Sequence, residues 1–137
     1  MKYFTIKELT RSMTAERLGI NNCPTKEIET NMTELVDCLL DPLRELWGGA
    51  LIVTSGYRCK ALNTAVGGVV NSHHLRGMAA DLVPIGGIPA DCRRLMNVLT
   101  ASSLKWTQAI LERNCRGSTW VHVAYDRVSL RKEVLYL

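Results

Sequence analysis

No apolar run in the chain approaches the ~20 residues that a membrane-crossing helix needs, so no membrane insertion is expected. No CxxC pair occurs among Cys23, Cys38, Cys59, Cys92 and Cys115, which excludes a zinc ribbon or a thioredoxin-type redox site. The odd number and wide spacing of these cysteines fit reduced, mostly buried thiols better than a disulfide framework. The opening residues, Met1 to Glu8, lack the apolar stretch of a secretory signal, so the expected product is made in the cytoplasm. The glycosylation sequon Asn31-Met32-Thr33 then carries no weight. Strong charge is missing too: the net +4 is mild, and Lys and Arg are scattered, so no nucleic-acid partner is expected. Repeats, low-complexity segments and linkers are absent, and residues 1–137 read as one domain, expected to be a monomer. Histidine is the scarcest chemically useful residue, with three in the chain, so the place of each is informative.

What is present is ordinary globular material, 47% hydrophobic and 22% charged. Thr5 and Glu8 form a capping box, with Phe4 and Leu9 as its hydrophobic staple, and predict a helix from Ile6. A second short helix is expected from Thr14 to Leu18, stopped by Gly19. Ile28, Met32, Leu35, Val36, Leu39, Leu43 and Leu46 recur at helical spacing and predict one long amphipathic helix ending at Gly48-Gly49. Pro42 falls inside that pattern and should kink or split it. Leu51–Thr54 and Ala79–Val83 read as strands, Cys59–Val66 and Pro89–Ala101 as helices. Three more strands are expected at Trp106–Leu111, Trp120–Tyr125 and Glu133–Leu137. Helices first and strands later predict an α+β fold, N-terminal helices packed on a mainly antiparallel sheet.

The chemistry concentrates in Ser72-His73-His74-Leu75-Arg76-Gly77-Met78-Ala79-Ala80-Asp81. Zinc accepts imidazole nitrogen and carboxylate oxygen, and a catalytic site needs three such ligands and an open position for water. His74 is expected in a loop and Asp81 on the strand that follows, with Gly77, Ala79 and Ala80 small enough for the two to converge. A carboxylate in an apolar strand is costly unless it is paired or bound to metal. His122, in Trp120-Val121-His122-Val123-Ala124, is the one histidine left to complete such a site, on a strand face shared with Trp120 and Ala124. Each residue alone has a quieter explanation, a core hydrogen bond or a turn cap. Together they leave two imidazoles and a carboxylate in apolar strands with no other partner.

Ser55-Gly56-Tyr57-Arg58, Leu62-Asn63, Gly67-Gly68, the Ser72–Asp81 segment and Trp120-Val121-His122 resemble the zinc D-alanyl-D-alanine carboxypeptidase family. That family includes phage L-alanyl-D-glutamate endolysins and is related in fold to the hedgehog signalling domain. The resemblance runs from about Phe4 to Tyr125, and the signature Ser-x-His-x-x-Gly-x-Ala-x-Asp is met in full from Ser72 to Asp81. It implies one zinc ion held by His74, Asp81 and His122, with His73 a competing ligand out of register. It implies further that Arg58 binds the substrate and stabilises the developing oxyanion, and that Ser72 either bonds the substrate or caps its turn.

The sequence departs from the family pattern at the general base. Many members carry Glu three residues before the last histidine, where this chain has Thr119, which has no basic group. Glu112 is the candidate in its place, carried back beside His122 by a hairpin through Asn114–Ser118; the stretch Gln108-x-Ile110-x-Glu112 fits members that use this arrangement. Asp126 is the weaker alternative. The resemblance implies hydrolysis of peptidoglycan stem peptides, at a terminal D-Ala-D-Ala bond or an internal bond, by metal-activated water. Such an enzyme acts on the cell wall, which for a chain without an export signal implies a phage or prophage lysis enzyme released through a membrane pore. Two rival readings are a catalytically inactive zinc-binding module of the same fold and a metal-free structural or nucleic-acid partner, the latter suggested only by the mild positive charge.

Overall fold

Thr5 accepts the Glu8 N–H and opens α1 (Ile6–Thr10) at the expected residue. Ser12 does the same for α2 (Met13–Leu18), which starts one residue earlier than expected and stops at Gly19 in the left-handed conformation. The long amphipathic pattern becomes α3 (Lys26–Leu35), a π-helical segment over Val36–Leu40, and α4 (Asp41–Trp47). The wide turn is the answer to Pro42, which has no N–H and would clash with the carbonyl four residues back. Stretching the bond so that Asp41 N–H reaches Val36 O removes that conflict without ending the helix.

In this computed structural model, which describes residues 1–86 and 89–137, the rest of the chain builds the sheet. Its elements are β1 (Leu51–Ser55), α5 (Lys60–Ala65), a 3-10 turn (His73–Arg76), β2 (Ala79–Pro84), α6 (Pro89–Thr100), β3 (Gln108–Arg113), β4 (Thr119–Ala124) and β5 (Glu133–Tyr136). The strand order is β1-β2-β4-β3-β5; every neighbouring pair is antiparallel except β3 with β5, which runs parallel. The α+β class and the mainly antiparallel sheet are as expected. The β3–β4 hairpin is turned by Asn114, whose side chain accepts from the Arg116 and Ser118 N–H groups, with Gly117 at positive φ.

Alternation along the strands sorts the sheet into two faces. Ala80 and Leu82, Ala109 and Leu111, and Val121 and Val123 are buried in one core with Cys92, Leu95, Met96 and Leu99 of α6. Each large side chain removed from water there contributes about 1.5–3 kcal/mol. The helix lying directly on β2, β3 and β4 is therefore α6, from the middle of the chain, with α4 packed against it and α1 against β1. The opposite face carries Asp81, His122, Ile110, Gln108 and Glu112 into a cleft. The thiols correct one expectation: all five are free, but only Cys92 is fully buried, while Cys23, Cys38 and Cys115 are exposed. Cys23 and Cys115 fall in connections, and Cys38 on the solvent side of the π-helical segment, where no core surface is available.

Candidate metal centre

Three stretches of sequence are tied together before any metal is considered. The chain leaves β1 through Ser55 and Gly56, where Tyr57 N–H bonds Leu9 O of α1 at 2.7 Å. Arg58 N–H then bonds His74 O at 3.1 Å, and Gly56 O receives His74 Nδ1 at 2.6 Å. His74 is thus held in a 3-10 turn rather than a loop, capped by Ser72, whose hydroxyl accepts the His74 N–H. Gly77 closes that turn at φ 69°, and a Cβ there would meet Ile28 and Met32 at 2.9 Å. Antiparallel pairing of β2 with β4 sets Asp81 opposite His122.

The three predicted ligands converge. One donor atom from each of His74, Asp81 and His122 lies within 4.8 Å of the others, and among the described residues this is the group that could hold a metal ion. A backbone carbonyl only accepts, so His74 Nδ1 carries the proton and Nε2 presents its lone pair. That lone pair stands 3.3 Å from Asp81 Oδ1, and His122 Nδ1 stands 3.1 Å from the same oxygen. Two acceptors facing each other at this distance need a cation between them, a proton or a metal. A tetrahedral zinc with ~2.0–2.1 Å bonds spaces its ligands roughly 3.3 Å apart, so the donor set fits the ion. Burial alone would raise the Asp81 pKa, but with a proton between them the His122 and His74 rings bond the carboxylate, outweigh burial and hold the carboxyl well below the usual carboxylate range.

The cleft over this group has a volume of about 1010 Å³ and is lined also by Arg58, Ser72, His73, Gln108, Ile110, Glu112 and Trp120. The hairpin register pairs Ile110 with His122 and Glu112 with Trp120, which brings Glu112 to the face of His122. Trp120 Nε1–H donates to Glu112 Oε2 at 2.7 Å, orienting that carboxylate; the sequence placed Trp120 on this face without revealing the bond. Thr119 pairs with Arg113 and alternates to the other face. Asp126, the alternative base, is occupied elsewhere: it accepts from Val128 N–H and pairs with Arg76 at 3.7 Å, outside the cleft lining. His73 lines the cleft but is not among the three clustered donors; burial, then Arg76, lowers its pKa and keeps the ring neutral.

Arg58 is pushed by burial below its usual pKa, and the carboxylates of Asp81 and Glu112 pull it back, so it remains a cation. Among the described residues its buried Nε–H has no partner, and neither has Asn63 Oδ1. Gly68 makes that crowding possible, since a Cβ there would lie 2.0 Å from Asn63 Oδ1 and 2.8 Å from Arg58 Nη1. Asn63 and Gly68 belonged to the recognised pattern without a role.

Gly56 is the tightest point of the assembly. A Cβ there would stand 2.2 Å from Leu9 O and 2.8 Å from Leu9 Cα, both backbone atoms that cannot swing aside. Gly56→Ala is expected to cost about 1–3 kcal/mol or more and to lower Tm on the order of 10 °C. Because the same residue's carbonyl fixes the His74 ring, zinc affinity should fall with it. Thermal unfolding with and without added zinc checks both, and an unchanged Tm would refute the close contact.

The family model described as Peptidase M15 matches residues 2–124, and the chain belongs to that family of zinc-dependent peptidases. No curated protein matches the chain.

Proposed function

We propose that the protein hydrolyses peptidoglycan stem peptides, at a terminal D-Ala-D-Ala bond or an internal bond, with His74, Asp81 and His122 holding one zinc ion. The observation that carries this reading is the convergence of the three donor atoms on the cleft floor, with a cation and a second carboxylate on the walls. When bound, zinc lowers the pKa of water towards ~7 and polarises a carbonyl. Glu112, aimed by the Trp120 indole, accepts the proton of the attacking water and returns it to the leaving amine. Arg58 lines the cleft, and its guanidinium charge is available to a substrate carboxylate or the developing oxyanion. Ser72 accepts the His74 N–H, and its own hydroxyl proton remains to donate to substrate. A pocket built on Arg58 and Ser72 suits a free carboxylate and favours carboxypeptidase action. Its place of action is then the cell wall.

The test is elemental analysis alongside hydrolysis of a D-Ala-D-Ala-terminated peptide and of purified peptidoglycan. One zinc per chain with release of D-alanine or of wall fragments is expected, and the product identifies the bond. Zinc without cleavage of either substrate would replace this reading by that of a binding module.

A further inference from the structure

The cleft face of β3 carries a polar side chain that hydrolysis does not use. Gln108, Ile110 and Glu112 alternate onto that face, and Ile110 is the register partner of His122. At about 3.4 Å per residue, Gln108 stands roughly 7 Å along the strand from the metal group, and Glu112 as far in the opposite direction.

What fixes Gln108 is β5. Gln108 Nε2 donates to Glu133 Oε1 at 2.7 Å, and Arg131 Nη2 braces that carboxylate at 3.4 Å. A carboxylate has no proton to give, so the amide cannot turn over: its NH₂ faces Glu133 and its Oε1 is left as an acceptor. Among the described residues no donor is bonded to that oxygen, and it is not a buried orphan.

We propose that Gln108 Oε1 accepts a backbone N–H of the bound peptide, about two residues from the scissile bond, and that Glu133 is the positioning residue that keeps this acceptor turned to the substrate. The inference rests on the peptidase reading above. Glu133 lies beyond residues 2–124 matched by the family model, so part of this subsite comes from outside the matched segment.

The probe is a synthetic stem pentapeptide ending in D-Ala-D-Ala, with copies methylated at one backbone nitrogen at a time. Binding to zinc-loaded full-length protein is measured by calorimetry in a Glu112→Gln background, where the peptide is not consumed. Adding Gln108→Met should weaken binding of the parent peptide about tenfold, with zinc content and Tm unchanged. One methylated peptide should show the same loss against Gln108 and no further loss against Gln108→Met, the coupling expected of a direct bond. Glu133→Gln should give a partial loss, because its carboxamide lets Gln108 turn over, and Glu133→Asp should restore binding. Equal binding with and without Gln108→Met, or losses that simply add for every methylated peptide, would overturn the subsite. Cleavage by wild type without any Gln108 dependence refutes the subsite alone. The binding pattern without wild-type cleavage refutes hydrolysis alone. No binding of the pentapeptide refutes both.

Discussion

His122→Ala is expected to lose its zinc at any ordinary buffered metal concentration and, with it, all measurable hydrolysis. Apparent zinc binding of about 10–16 kcal/mol, shared among four positions, assigns each ligand roughly 2.5–4 kcal/mol. Losing one of three protein donors should then weaken binding on the order of 10²–10³-fold. The same change leaves Asp81 Oδ1 with His74 alone where it had two imidazoles, at 3.3 and 3.1 Å, so the metal-free variant should also melt lower. Asp81→Asn separates the two effects: it keeps the volume and removes the charge, so it should lose zinc while relieving the confrontation between Asp81 and the His74 lone pair. Metal analysis after dialysis, with thermal unfolding of metal-free samples, reads both. Full zinc in His122→Ala would mean that the three clustered donors are not the metal site.

The clustering of His74, Asp81 and His122 was legible because imidazole is scarce here: three histidines, all in the two segments that meet across β2 and β4. Local signals also carried far. Thr5, Gly19 and Gly48 mark element ends that the backbone adopts, since caps are decided within a few residues. The π-helical segment was not legible, because Leu35, Val36, Leu39 and Leu43 stay on the buried side whether one residue is inserted or not. Cysteine burial failed for a different reason. Average thiol behaviour says nothing of Cys38, whose exposure depends on which side of the widened turn it occupies. Least legible were the pairs that support the site. Trp120 with Glu112, and Gln108 with Glu133, exist only once the hairpin register and the parallel return of β5 are set, and a four-residue strand does not announce its partner.

Glu112→Gln is the variant that decides the chemistry. Glutamine keeps the shape and its amide oxygen still accepts the Trp120 indole N–H, so fold, zinc content and the walls of the cleft should be preserved. What disappears is the proton acceptor, and kcat should fall about 10²–10⁴-fold with little change in KM. Trp120→Phe should give a smaller loss, roughly tenfold, because the carboxylate remains but is no longer aimed. Thr119→Ala should change little, since residue 119 alternates away from His122, and Asp126→Asn should not touch the chemistry because that carboxylate is bonded to Val128 and Arg76 outside the cleft. Steady-state kinetics on zinc-loaded variants makes the comparison. A Glu112→Gln protein that keeps full kcat would return the proton to another acceptor. The same register that carries Glu112 to the His122 face also turns Thr119 away from it.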